Sequence, residues 1–230
     1  MAKPSTKEWA RGRRPAALRI AFALAIASSA LSCSGRPPAS LAIVAGGDCL
    51  LDRYDGRLGA REGGDRRWDA LIGAARGSDA FLFNLETTVG EGGHPKDKRF
   101  VFRAPAGSLA PLSRFPRPVA ALANNHSMDY GPEGLLATVA ALDEAGIAHA
   151  GGGATSGQAW AEARVACPGG CLSVLSAGFD NDASSFSDSS GAAIAPLDIG
   201  ALAERIKACK RTSLAVAVML HWGVEYATRY

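Results

Sequence analysis

Residues 118–150 read PVAALANNHSMDYGPEGLLATVAALDEAGIAHA. The stretch opens with an apolar run, Pro118–Ala123, that stops at Asn124-Asn125-His126. It then carries the clearest helix of the chain, over Pro132–Ala145. Pro132 suits the first turn, Leu135, Leu136, Val139 and Leu142 keep helical spacing, and Gly146 suits the C-terminal stop. Ile147–Ala150 re-enters as a strand. Strand, polar turn, helix and strand in that order are the building unit of an α/β domain.

The same alternation extends in both directions. Leu41–Ala45 is a short, β-branched strand that Gly46-Gly47-Asp48 is expected to break. Trp68–Ala75 reads as a helix, and Ala80–Leu85 as a strand ending in Asn-Leu-Glu. Ala163–Ala166 and Leu172–Ala177 flank a Pro-Gly-Gly turn. Asp180–Ser190 is a polar loop, Ile199–Ala208 a helix, and Leu214–Leu220 an apolar strand ending in His221-Trp222-Gly223. Strands that are apolar throughout and separated by helices predict a covered sheet in an α/β domain spanning 41–230.

In open α/β sheets, function collects at the carboxyl ends of the strands. Four such ends carry Asp48, Asn84 with Glu86, Asn124-Asn125-His126, and His221. Carboxylate, amide oxygen and imidazole are donors that suit Mn, Mg, Fe(II) or Zn. Such ions lower the pKa of bound water and clamp phosphoryl oxygens. A carboxylate cluster without a cation is costly in desolvation and repulsion. Taken singly, each residue has a plainer reading. Asp48 could cap a helix, Asn84 could close an Asx-turn, and Glu86 could pair with a surface Lys. Asn124-Asn125 could accept a left-handed turn, and His126 and His221 could sit in the core. Their joint occurrence at four strand ends favours a site. His94 reads as a loop residue and His149 as strand or surface.

The net charge of the chain is +3. Residues 1–32 hold six Lys or Arg and one Glu, a local +5, which leaves −2 for the rest. No basic run follows residue 33, so a nucleic-acid partner is set aside. The basic start leads into Ile20–Ala30, an apolar run of 11 residues. A membrane span needs about 20. Residues 1–32 therefore read as an export signal. Ala30-Leu31-Ser32-Cys33 resembles a bacterial lipobox, with Cys33 the lipidated residue and 33–40 a tether. The expected location is the cell envelope, held to the membrane by a lipid anchor; the alternative is a secreted or periplasmic protein. Export permits disulfides, and a hairpin at Cys167-Pro-Gly-Gly-Cys171 would bring Cys167 and Cys171 together as a pair. Cys49 and Cys209 are expected to be buried.

At these residues the chain resembles the bacterial capsule-synthesis CapA family, also called the poly-gamma-glutamate synthesis family. Val44–Arg53 is similar to its opening G-D motif, Phe83–Val89 to its N-L-E segment, and Lys98–Pro105 to its K-x-F-x-F-x-A-P stretch. Leu122–Gly131 is similar to its N-N-H-x-M-D-Y-G motif and His221–Tyr226 to H-W-G-x-E-Y. The resemblance covers 41–230 and implies a calcineurin-like metallophosphoesterase fold, a layered α/β sandwich. It implies Asp48, Glu86, Asn125 and His221 as ligands of divalent ions (Mn, Fe, Zn or Mg). It implies His126 as the proton donor to a leaving oxygen or as a phosphate holder, with Asn84 and Asn124 beside the substrate. Trp222 and Tyr226 would shape the pocket or fill the core. The family continues to a G-H-H-P-H motif that does not occur before Tyr230, so the sandwich and the site are expected to be incomplete at the C-terminus.

Three functional expectations follow. The first is a metal-dependent, phosphoesterase-like hydrolase in capsule or polyglutamate production. The second is a non-catalytic, envelope-anchored accessory that binds an anionic polymer or components of a synthase. The third is a fragment without independent function, with exposed apolar surface and an open sheet edge.

Overall fold

The computed structural model describes residues 40–52, 65–179 and 191–223. The chain divides into Met1–Ser40 and a compact unit, Leu41–Tyr230. The export signal, the lipobox with Cys33, the Asp180–Ser190 loop and Val224-Glu225-Tyr226 lie outside the described residues, as does the tether apart from Ser40.

The described elements, in chain order, begin with β1 (Ile43–Cys49), α1 (Asp65–Ala75), β2 (Ala80–Leu85), β3 (Thr88–Val89), β4 (Arg103–Ala104) and β5 (Pro118–Ala121). There follow α2 (Gly131–Glu144), β6 (Ala148–Ala150), β7 (Gly152–Gly153), α3 (Ser156–Ala159), β8 (Ala163–Cys167) and β9 (Gly170–Gly178). The last are β10 (Ala193–Ile194), α4 (Ile199–Cys209) and β11 (Ala215–His221). The first sheet is wholly parallel, in the order β1-β2-β5-β6. The second runs β11-β9-β8, with β11 parallel and β8 antiparallel to β9.

Alternation along each strand sets four layers. Phe81, Phe83, Ala120 and Leu122 turn outward from the first sheet onto Leu135 and Leu142 of α2, with Trp68 and Ile72 of α1 at the edge of this core. Ala80, Leu82 and Val119 turn the other way and meet Val165, Leu172 and Val174 of the second sheet. Leu175 on the far face of that sheet packs under Leu202 and Cys209 of α4. Helices, sheet, sheet and helix make the layered α/β sandwich, with parallel strands at its core.

Helix α2 stops as its sequence demands. Gly146 takes φ +67°, its N–H reaches the Asp143 carbonyl at 3.1 Å, and the Ile147 N–H reaches Leu142 at 2.9 Å. This paired closure satisfies the last carbonyls, and Ile147 and Leu142 share the core beside it. The inward face is Leu135, Thr138, Ala141 and Leu142; Leu136 points out, contrary to the spacing argument.

Three expectations need correcting. Gly46-Gly47-Asp48 does not end β1. The strand runs on to Cys49 through a bulge, because Glu86 N–H still bonds the Cys49 carbonyl at 3.0 Å and Asp48 pairs with Asn84. Gly47 takes φ +69° there, a conformation that any side chain would resist. Cys167 and Cys171 are free thiols. The hairpin forms, but Cys167 lies opposite Gly170 and Cys171 opposite Ala166. That single-residue offset puts Cys167 in the inter-sheet core, while Cys171, next to Leu172 of that core, alternates to the other face, so the thiols face opposite sides of the sheet. Cys209 is buried, whereas Cys49 is only half-buried, because β1 is an edge strand. β11 also ends its sheet; Leu220 and Trp222 are exposed, which excludes a core role for Trp222.

Candidate functional site

Parallel pairing brings the carboxyl ends of β1, β2 and β5 to one rim of the first sheet, and β11 delivers His221 to the same place. The bulge in β1 sets Asp48 beside Asn84, the next-to-last residue of β2. Asn84 is buried and acts as a hub. Its Nδ2 donates to Asp48 Oδ1 at 2.9 Å and lies 3.1 Å from His221 Nδ1. Its Oδ1 accepts from Asn124 Nδ2 at 2.9 Å.

The turn after β5 is built by its own side chains. Asn124 Oδ1 accepts the His126 N–H at 3.0 Å, and its Nδ2 also donates to the Leu85 carbonyl at 2.9 Å. Ser127 Oγ donates to the Leu122 carbonyl, and Thr88 Oγ1 donates to the His126 carbonyl. Asn124 is fully buried and its amide is spent on protein partners. Asn84 is committed in the same way. Both amides give their N–H groups to protein partners and tie the strand ends to the turn after β5.

The residues that do reach the rim are Asp48, Glu86, Asn125, His126 and His221. His221 Nε2 stands 3.0 Å from Asn125 Oδ1 and 3.8 Å from Glu86 Oε1, while its Nδ1 is 3.7 Å from Asp48 Oδ1. Glu86 Oε1 is also 3.9 Å from His126 Nε2, so it lies between the two imidazoles. Residues separated by up to 173 positions thus meet as the strand ends foretell.

Two donors each about 2.1 Å from one ion are about 3.0 Å apart at a right angle and about 4.2 Å apart when opposed. The Asn125 Oδ1 and Glu86 Oε1 distances to His221 Nε2 fall in that interval, and two oxygens with one imidazole nitrogen suit a divalent cation. The spacings let His221 Nε2 share one ion with either oxygen, so the donor chemistry of carboxylate, amide and imidazole fits such an ion. Among the described residues no three His, Cys, Asp or Glu form a metal-holding group. Asp48 Oδ1 lies 3.7 Å from the opposite edge of the His221 ring, and Asn84 Nδ2 bridges the two.

His126 sits in a socket that sequence reasoning quoted without assigning it a part. Its Nδ1 is 2.8 Å from Asp129 Oδ2, and the Phe102 ring packs on the imidazole with centroids 4.4 Å apart. Asp129 pairs with Lys98, whose Nζ also donates to the Asn125 carbonyl at 2.7 Å. The spacing of His126 and Asp129, three residues apart in one turn, was the available signal. His94 is an exposed loop residue, and His149 lies on β6 with Asp143 3.3 Å away, as expected. On the outer face of β1 a cavity of about 400 Å³ is lined by Trp68, Leu71, Phe81 and Phe115. Asp48 is its one carboxylate, so the polar rim is where chemistry concentrates.

A family model described as "Bacterial capsule synthesis protein PGA_cap" matches residues 42–230. Two proteins named "Probable polyglutamine synthesis accessory protein", from two strains of Mycobacterium tuberculosis, are each 39% identical to this chain over 110 residues. That match spans 46% of this chain and 28% of each relative, less than a third of the relatives' length.

Proposed function

The chain belongs to the bacterial capsule synthesis protein family PGA_cap, and from that membership we propose that it acts in capsule or poly-gamma-glutamate production as a metallophosphoesterase-like hydrolase with a divalent-metal site. The observation that carries this reading is the convergence of Asp48, Glu86, Asn125, His126 and His221 at one rim. Glu86 Oε1, Asn125 Oδ1 and His221 Nε2 would hold the ion, with Mn, Fe, Zn and Mg all compatible with the donor set. When bound, the ion supplies a Lewis acid that lowers the pKa of a water and draws phosphoryl oxygens. With the ion on Nε2, the Nδ1 of His221 would carry hydrogen, and Asp48, 3.7 Å away, is the carboxylate on that side of the ring. His126 turns Nε2 to the leaving oxygen, and acts as proton donor from that nitrogen when both ring nitrogens carry hydrogen. The leader over 1–32 and Cys33 support export and a lipid anchor to the membrane at the cell envelope.

A second reading is favoured by a different observation. Asp48, Asn84, His221 and Asn125 satisfy one another in a continuous hydrogen-bonded chain. In this reading the protein is a non-catalytic accessory that binds an anionic polymer or components of a synthase, and the printed name of the two relatives agrees with it.

Isothermal titration of the full chain with Mn(II) and Zn(II), with turnover of a p-nitrophenyl phosphodiester, separates the two. Stoichiometric metal, lost in Glu86→Gln, with turnover abolished by His126→Ala, supports the hydrolase. Protein that takes up no metal and turns over nothing, yet binds polyglutamate, overturns it in favour of the accessory.

A further inference from the structure

We propose that Asp129 is the positioning residue that fixes the tautomer of His126, and that Lys98 dictates which carboxylate oxygen does so. The proposal deepens the hydrolase reading and rests on His126 working at the rim.

Asp129 is fully buried, three residues after His126. Its Oδ2 accepts the Phe102 main-chain N–H at 2.7 Å and lies 2.8 Å from His126 Nδ1. Its Oδ1 faces the Lys98 ammonium. A carboxylate so paired only accepts hydrogen bonds. The Nδ1 position of His126 must therefore carry hydrogen, and the lone pair of the neutral ring is left on Nε2. That nitrogen is the one turned to the rim, 3.9 Å from Glu86 Oε1. The Phe102 ring on the imidazole face and the Asn124 Oδ1 bond to the His126 N–H hold the ring and its backbone in place.

A stability role alone accounts poorly for this arrangement. Asp129 is fully buried but the Lys98 side chain is 31% exposed, and an ion pair open to water on one side adds little stability. Orientation of one ring nitrogen is something an apolar pair cannot provide. Lys98 completes the device, because its ammonium contacts both Asp129 and the Asn125 carbonyl, and so ties the carboxylate to the turn that carries His126.

Substitution exposes the logic. In Asp129→Asn the amide has one oxygen for three donors: Lys98 on one side, the Phe102 N–H and His126 Nδ1–H on the other. The Lys98 charge draws that oxygen to its own side and turns the NH2 towards Nδ1, where it needs an acceptor. Adding Lys98→Met frees the amide to turn its oxygen back to Phe102 and Nδ1.

The chain has four histidines, so long-range 1H–15N spectra of the uniformly 15N-labelled full chain resolve each ring, with assignment by single His→Gln variants. The wild type is expected to show His126 as the Nδ1–H tautomer. Asp129→Asn should lose that single tautomer, and Asp129→Asn with Lys98→Met should regain it. On the phosphodiester, Asp129→Asn should lower kcat about 100-fold with KM unchanged. A purely structural Asp129 would lower the melting temperature and leave the tautomer alone. An Nε2–H ring in the wild type overturns the proposal even where the variants fail to fold, as does an unchanged pattern in Asp129→Asn. The spectra need neither metal nor substrate, so a fixed Nδ1–H ring in a protein without turnover refutes the hydrolase reading and not the positioning of His126.

Discussion

Replacing Asn84 by Ala is the most searching test of the rim, because three hydrogen bonds end on that one amide. Their losses are unequal. Asn124 is fully buried, and without Asn84 Oδ1 one of its N–H groups faces no acceptor, which costs about 1–3 kcal/mol. The His221 side chain is 24% exposed, and losing its Nδ1 partner costs about 0.5–1 kcal/mol. The Asp48 side chain is 60% exposed, so water replaces the lost donor at little cost. The expected destabilisation is about 2–4 kcal/mol. At this chain length each 1 kcal/mol moves Tm by about 2–4 °C, so a fall near 10 °C is expected. Urea unfolding followed by circular dichroism measures it, with an unchanged m-value as the check that the native state is intact. Asn84→Asp keeps the shape but sets a carboxylate where Nδ2 now meets Asp48 Oδ1, and should cost at least as much at neutral pH. A loss under about 1 kcal/mol in both variants would mean that Asn84 does not bridge these groups, and that the rim is assembled without it.

Two further outcomes follow from other parts of the fold. A Cβ on Gly178 would lie 2.0 Å from the Ala123 carbonyl oxygen, backbone against backbone. Gly178→Ala should cost about 3 kcal/mol and shift the turn that carries Asn124 and Asn125; a thermal melt within 2 °C of wild type would contradict that close approach. On the second sheet, burial acts to raise the pKa of Glu162, but hydrogen bonds from Ser173, Cys209 and Arg164, with the Arg164 charge, hold it below its ordinary value of 4.5. A depressed folded value contributes stability that is present above pH 4.5 and is lost as pH falls through the folded value. Glu162→Gln should therefore flatten the acid limb of stability against pH below 4.5, read by urea midpoints, and an identical limb in both proteins would remove Glu162 as its source.

Local chemistry made most elements legible. Pro132 and Gly146 bracket α2 because one tolerates a helix start and the other a left-handed stop. Ala80–Leu85 reads as a buried strand because no polar residue interrupts it before Asn84, and the strand has those bounds. What local chemistry could not settle was facing. Leu136 has helical spacing yet faces out, since β3 and the first sheet approach α2 from the side of Leu135 and Thr138, where Thr138 Oγ1 accepts the Val89 N–H. The two hairpin cysteines fail to pair through a register of one residue, which the turn sequence does not specify. Gly46-Gly47 reads as a break in isolation, and only the partner strand β2 keeps it in the sheet.

The candidate site shows the same division within a single residue type. Asn84, Asn124 and Asn125 look alike in the sequence, but the sheet gives them different tasks. Asn84 stands between an acceptor, Asp48, and a donor, Asn124. An amide offers two donor hydrogens on one side and an acceptor oxygen on the other without adding charge. A carboxylate there would repel Asp48, and a hydroxyl has too few donors to serve both Asp48 and His221. Asn124 takes the deeper place because its amide must reach the Leu85 carbonyl as well. Asn125, one residue further from the end of β5, has cleared the sheet, so its Oδ1 faces His221. Position past the end of β5 separates Asn124, buried beneath the rim, from Asn125, which faces it. Among the acids the path of the turn decides instead: Asp129 folds back beside His126 and is fully buried, whereas Asp48, still paired in β1, and Glu86 remain at the rim.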